Sequence, residues 1–191
     1  MTPADTDRVS ELQSRLLTKS AVTQLGPAFL HHFYRASLAQ RVCEAVVACD
    51  AHGVIVGAAV AATNVEAFNA AVSPRIAGHL AVALMTRWRL ALRFCGSLFE
   101  RRASSHAQAE LLLLFVDDAY QGSGTGTLLL QSIEQRFTQE GITKYQVTVR
   151  SEMIDALAFY AARGFAHTED CLVLRRPMTY LTKVLSSERT A

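Results

Sequence analysis

Hydrophobic positions along the chain follow two periods, and the switches between them mark the elements. Val9, Leu12 and Leu16 fall on one helical face of Asp5–Leu17, with Asp5 or Thr6 placed as its cap. Leu30, Phe33, Tyr34 and Leu38 form a second stripe across Pro27–Ala39, whose proline lies in the first turn after Gly26. Next come two apolar, partly β-branched runs, Cys43–Cys49 and Val54–Ala62. The link Asp50-Ala51-His52-Gly53 makes them a hairpin. No strand pattern precedes the first helix.

Residues 64–104 form a long connection. Pro74 divides it, and Leu80, Leu84, Trp88 and Leu92, at steps of four, predict a helix over Ile76–Phe99 that breaks near Gly96. Ala109–Val116 reads as a strand and Thr127–Glu140 as a helix, with Leu129, Ile133 and Phe137 inward and Gly141 closing it. Lys144–Arg150 alternates apolar and polar residues as a strand does, and Glu152–Arg163 reads as a helix ended by Gly164. Phe165–Glu169 and Leu172–Arg176 read as short strands, with a break at Pro177 and a last strand over Tyr180–Val184. Ser186–Ala191 reads as a frayed tail.

Composition narrows the classes. A chain of 191 residues, half of them hydrophobic, fits one domain over residues 1–191 with a full core. A net charge of +2 gives no footprint for nucleic acid. The apolar runs are too short, or too interrupted by Arg87, Arg89 and Arg93, to span a membrane. The start Met1-Thr2-Pro3-Ala4-Asp5 is polar and acidic rather than a secretory signal, so a cytoplasmic location is expected. Cys43, Cys49, Cys95 and Cys171 lack CxxC spacing and read as reduced thiols, with no metal site expected.

The chemistry concentrates between the strand ending at Val116 and the next helix. Gly122, Gly124 and Gly126 remove the side chains that would block approach to the backbone, and the helix adds the positive end of its dipole. Such a turn suits a phosphate or pyrophosphate. The P-loop is excluded, because no Lys stands before a hydroxyl residue, and GxGxG is not the Rossmann spacing. The pattern Gln-x-x-Gly-x-Gly, carried by Gln121, Gly124 and Gly126, resembles the pyrophosphate-binding motif of the GNAT superfamily of acetyl-CoA-dependent N-acetyltransferases. A second segment, Ala156-Leu157-Ala158-Phe159-Tyr160-Ala161-Ala162-Arg163-Gly164-Phe165, resembles the A-x-x-FYxxxGF segment found downstream in the same superfamily. The resemblance runs from about residue 43 to residue 184, and its weakest stretch is 64–104.

The resemblance implies an α/β fold. Its sheet is mixed and mostly antiparallel, with flanking helices and a helical insertion, here 64–104, between the family's third strand and the motif strand. It implies acetyl-CoA as co-substrate and a small-molecule amine as acceptor. The amides of Gly122, Ser123, Gly124, Thr125, Gly126 and Thr127 would receive the pyrophosphate, with Gln121 as a further donor. Phe115, Val116 and Asp117 would offer unpaired backbone groups to the pantetheine arm, where the motif strand splays from its neighbour. The Val116 amide would hold the oxyanion. Ala156, Phe159 and Tyr160 would face the cofactor, with Tyr160 as general acid. Met153 stands where the family often has a cofactor-binding Asn, so that amide contact is lost.

Glu110 is the candidate base. It heads an otherwise apolar strand, and a period of two places it with Leu112, Leu114 and Val116, where an unpartnered carboxylate has a raised pKa. Asp117, Asp118, His79 and His106 are weaker alternatives. The insertion resembles that of a subgroup linked to surface-polysaccharide and amino-sugar pathways. Its Arg75, Arg87, Arg89 and Arg93, with Arg101 and Arg102, could hold the diphosphate of a nucleotide-linked amino sugar or simply face solvent. A small amine, an amino acid or a protein amine are rival acceptors. A non-catalytic acyl-CoA-binding domain is the reading from another class. The sequence leaves the oligomeric state open.

Overall fold

The computed structural model describes residues 1–86 and 107–185. Trp88, Leu92, Cys95, His106 and the arginines at 87, 89, 93, 101 and 102 lie outside the described residues, as does the expected tail. The chain opens with helices α1 (Thr6–Leu16) and α2 (Pro27–Leu38), and no strand precedes them among the described residues. The hairpin comes next as β1 (Cys43–Cys49) and β2 (Ile55–Ala62). Its turn is set by the Asp50 carboxylate, which accepts from the amides of His52 and Val54 at 2.9 Å each. Helix α3 (Val65–Thr86), the motif strand β3 (Ala109–Val116), helix α4 (Thr125–Gln139), β4 (Lys144–Arg150), helix α5 (Ile154–Ala161), β5 (Ala166–Val173) and β6 (Arg176–Val184) complete the described order.

The strands form one six-stranded sheet in the order β1-β2-β3-β4-β6-β5, in which only β3 and β4 run parallel. This is the mixed, mostly antiparallel α/β arrangement expected. All eight residues of β2 are buried, so the sheet is covered on both faces. Leu129, Ile133 and Phe137 of α4, with Tyr160 of α5 and Phe165, pack on one face against Ala59, Leu111, Tyr145, Val147 and Leu181. Val9 and Leu12 of α1 and Tyr34 of α2 pack on the other against Ala58, Val60 and Phe115. Two buried polar side chains there satisfy each other, since the Tyr34 hydroxyl donates to Gln13, whose Nε2 donates to Thr23 at 3.1 Å.

Three expectations change. Pro74 does not divide the connection: α3 runs through it as one helix of 22 residues. Phe68, Val72 and Ile76 pack beside Phe33 and Ala62, and Leu80, Ala83 and Leu84 pack against Leu25 and Phe29, so tertiary contacts hold the helix on both sides of the proline. Pro177 does not end a strand either. It lies inside β6 opposite Leu172, near the strand start, where one missing donor is tolerated. The hairpin turn falls instead at Leu174 and Arg175, both left-handed at φ 51° and 60°, without the Asn or Gly that would announce it. Helix α5 begins at Ile154 rather than Glu152 and ends at Ala161, whereas α4 begins two residues early, at Thr125.

The proline gives a test. It removes one intrahelical hydrogen bond and crowds the carbonyl of Ala70. Replacing Pro74 with Ala should therefore raise the unfolding free energy by about 1–3 kcal/mol. A urea midpoint unchanged from wild type would show that the helix already absorbs the proline without cost.

Candidate active site

The site begins where two parallel strands part. β3 and β4 pair only over Ala109–Leu111 and Tyr145–Val147. Beyond that point β3 continues to Val116 and β4 to Arg150 without meeting. A bulge accompanies the parting, since Val60 pairs with Leu113 and Ala61 with Leu111, leaving Leu112 as the extra residue. The bulge breaks the period of two. Leu111, Leu114 and Val116 therefore face α4, while Leu113 and Phe115 face the α1–α2 side. The expectation that Glu110 shares a face with Leu114 and Val116 fails for this reason.

The gap opens into a cleft of about 480 Å³. Its walls come from Leu111–Leu114, Val147–Arg150, Met153, Ala156 and Tyr160, and from the α1–α2 loop and the β5–β6 hairpin. Backbone alternation decides which groups look into it. The Asp117 amide donates to the Val56 carbonyl at 2.7 Å, so Asp117 and Phe115 point toward β2. Leu114 and Val116 point the other way, toward the gap. Of the three residues Phe115–Asp117, only Val116 thus turns an amide to the cleft, and the other two are corrections. Phe115 fills the core at 4 % exposure, and the Asp117 carboxylate pairs with Arg15, which holds it below the usual carboxylate range. Asp118 accepts from Gln121, and His79 stacks on His32 between α2 and α3, so neither stands at the cleft.

The glycine turn lies at the end of β3. Gly57, opposite Val116, allows this close approach, because a Cβ there would meet the Phe115 carbonyl at 3.0 Å and Leu129 of α4 at 3.1 Å. Gly124 stands at φ 88° as the N-cap of α4, a conformation that disfavours any side chain. Among the described residues, no acceptor takes the amides of Gly122, Ser123, Gly124, Thr125 and Gly126. Five successive donors at a helix N-terminus make an anion cradle. The Thr127 amide is not part of it, because it donates to the Gly124 carbonyl at 2.9 Å. The Ser123 hydroxyl braces the turn by donating to the Tyr120 carbonyl at 2.6 Å. Gln121 is also corrected: its Nε2 donates to the Val116 carbonyl at 3.2 Å and to Asp118 at 2.7 Å, folding back under the turn rather than into the cradle.

Glu110 is half-buried, and desolvation pushes its carboxyl above the ordinary range. Gln146 Nε2 and the Thr148 hydroxyl donate to its two oxygens at 2.9 and 2.8 Å. Thr148 lines the cleft and Glu110 does not, so the hydroxyl stands between the carboxylate and the open space. Tyr160 is 6 % exposed and in ring contact with Phe159 and Phe165, yet it borders the cleft, and burial raises its phenol so that it stays protonated. Ala156 and Met153 line the cleft beside it, whereas Phe159 packs under Gly126, whose Cβ would meet it at 3.4 Å.

Two participants escaped sequence reasoning. Thr148 looks, in sequence, like one polar step of an alternating strand. Arg163 occupies an unspecified position of the second segment, yet its guanidinium lies 3.6 Å from the Phe159 ring centroid and donates to the Thr127 hydroxyl at 3.2 and 2.5 Å. That fixes a cation one turn behind the anion cradle, and it forms no ion pair with a described residue.

Residues 93–173 match the family model described as an acetyltransferase (GNAT) domain. That segment resembles a GNAT acetyltransferase domain. Solved structures of acetyltransferases share the fold of the chain across nearly the whole length. Ard1 from Thermoplasma volcanium is 16 % identical over 97 % of this chain and 95 % of its own, with a TM-score of 0.62. A mutant of the spermidine N-acetyltransferase SpeG from Vibrio cholerae is 13 % identical over 96 % and 90 %, at 0.61. The ribosomal-protein-S18-alanine N-acetyltransferase from Escherichia coli is 14 % identical over 83 % and 80 %, at 0.51. No curated protein matches the sequence. No described helix is long and apolar enough to cross a membrane.

The cradle predicts its own sensitivity. A Cβ added at Gly124 meets no atom within 4 Å, so the damage from Gly124→Leu is expected from the left-handed backbone, which should re-aim the neighbouring amides. Acetyl-CoA affinity should fall at least tenfold, about 1.4 kcal/mol. Calorimetry on the folded variant checks this, and an unchanged affinity would remove the turn from the cofactor site. Arg163→Gln should also weaken acetyl-CoA, by a smaller factor that shrinks with added salt, since the contact is electrostatic.

Proposed function

We propose that this domain transfers the acetyl group of acetyl-CoA to a primary amine by direct attack on the thioester. The observation that carries this reading is the gap between β3 and β4, with five unpaired amides at one end and the Glu110–Thr148 pair along its wall. The amides of Gly122–Gly126 hold the pyrophosphate, and the splayed edge of β3 holds the pantetheine arm. In this reading the thioester carbon lies beside Val116 and Tyr160.

The roles derive from the environments. A neutral amine forms the C–N bond, and the Val116 amide, facing the gap, donates to the carbonyl oxygen as it becomes an oxyanion; one such donor lowers a barrier by about 3 kcal/mol. The attacking nitrogen gives a proton to the Thr148 hydroxyl while Thr148 passes its own to Glu110. A carboxylate whose pKa burial has raised is a better base than an exposed one. As the C–S bond breaks, Tyr160 donates to the departing sulfur. Its raised pKa keeps that proton in place until the thiolate develops. Met153 offers only an apolar surface where the family often has an amide, so the backbone carries more of the cofactor.

The amino-sugar acceptor is one arm of the test. Its support came from the arginines of the insertion, most of which lie outside the described residues, while Arg75 folds its guanidinium onto the Ala71 carbonyl. α3, the described part of that insertion, packs on α2 and does not line the cleft. Release of free CoA thiol over a panel of amines separates an enzyme from an acyl-CoA-binding domain, which would bind without turnover.

Two variants test the roles. Glu110 must be ionised to act, so kcat/KM should fall as pH drops through its raised pKa, and Glu110→Gln should lose both most of the rate and that acidic limb. A variant with the same limb would assign it to the acceptor amine. Tyr160→Phe keeps the packing but loses the proton, and should lower kcat by about 100-fold with acetyl-CoA affinity retained. Near-normal turnover would return Tyr160 to the core.

A further inference from the structure

The cleft that would hold the acceptor has an unequal lining. Leu17, Val22, Leu112, Val149, Met153 and Met178 make it apolar. Apart from the Tyr160 phenol, its neutral polar side chains are Thr18, Ser20 and Thr148, and no carboxylate of a described residue borders it. Its charged residues are all cationic: Lys19, Arg150 and Arg176. Arg150 and Arg176 reach the same point from β4 and β6, and both donate to the Lys19 carbonyl. They thereby tie the α1–α2 loop to the cleft wall, with Lys19 among the lining residues. Glu152, an acid just beyond β4, is paired with Arg150 outside the lining. The Lys19 ammonium has no acidic partner among the described residues, and the buried Arg150 Nε–H has no acceptor there.

Each feature removes a class of acceptor. A polyamine brings two or more further positive charges, which need carboxylates and would meet cations here. A sugar brings a ring of hydroxyls, most of which would be buried against leucine, valine and methionine without partners, each at a desolvation cost. The lining instead complements a molecule with an apolar body and one negative charge. We propose that the acceptor is a hydrophobic α-amino acid or a close analogue, its side chain seated on the apolar wall and its carboxylate paired with Lys19. Its amine then lies between the carboxylate anchor and Thr148. This rests on the acetyl-transfer reading above and names the substrate class of that same cleft.

The experiment uses the whole chain and keeps the two readings apart. Acetyl-CoA binding is first measured by calorimetry; no binding would overturn acetyl transfer, and this proposal with it. With binding established, CoA release is followed with leucine, methionine, phenylalanine, leucinamide, spermidine and glucosamine. The hydrophobic amino acids should exceed spermidine and glucosamine at least tenfold in kcat/KM. Leucine should also exceed leucinamide, which keeps the amine and the apolar body but lacks the carboxylate. Lys19→Met keeps the aliphatic stem without the charge, and should raise the KM for leucine several-fold while leaving leucinamide unchanged. Preference for spermidine or glucosamine, no turnover of any amino acid, or an unaltered leucine-to-leucinamide ratio in Lys19→Met would each overturn the proposal while leaving acetyl-CoA binding intact.

Discussion

Everything at the site depends on the failure of two parallel strands to stay together. β3 and β4 share only three paired positions. A parallel ladder in mid-sheet is normally continuous and buried, because each unpaired amide inside it carries a desolvation cost. Here the cost is accepted along Leu112–Val116, and the bulge at Leu112 starts the divergence. The gap exposes the backbone of Leu114 and Val116 to a ligand, sets the width of the cleft, and lets the N-terminus of α4 rise beside the strand end. Gly57 completes the geometry, since a Cβ there would crowd the Phe115 carbonyl and the Leu129 side chain of α4.

The elements are largely legible in the sequence because their apolar periods are strong. Those periods place β2, β3 and α4 to within two residues. The errors have local causes. Pro74 looks like a divider until the packing of α3 on α2 is known, and burial on both sides outweighs one lost hydrogen bond. The Leu174–Arg175 turn is hidden because non-glycine residues take the left-handed conformation there. The bulge is invisible, because a run of four leucines satisfies either register, and with it goes the assignment of faces on β3.

The site is legible as a set of residues more than as a geometry. Gly122, Gly124 and Gly126 sit where the motif puts them, and Tyr160 and Ala156 do border the cleft. What sequence could not give is which backbone groups are spent. Asp117 and Thr127 have their amides engaged, and Gln121 its side-chain nitrogen, in bonds that shape the turn. Thr148 and Arg163 become visible only when β4 meets Glu110 and the C-terminal end of α5 meets α4, both long-range contacts without a sequence signature.

On the proposed mechanism, Glu110 would be a base tuned without touching its substrate. A carboxylate lining the cleft directly would be hydrated whenever the site is open, and its pKa would settle near the ordinary value. One layer further back, it is partly desolvated, and its two hydrogen bonds from Gln146 and Thr148 offset part of that cost. Those bonds favour the ionised form, so the carboxylate is kept charged enough to serve as a base and unfavourable enough to want a proton. Thr148 is suited to connect it to the cleft, because one hydroxyl can accept from an amine and donate to a carboxylate at once. A valine there would keep the strand and the shape but sever the side-chain bridge from the cleft to the Glu110 Oε1 atom, leaving Gln146 as the carboxylate's remaining side-chain donor.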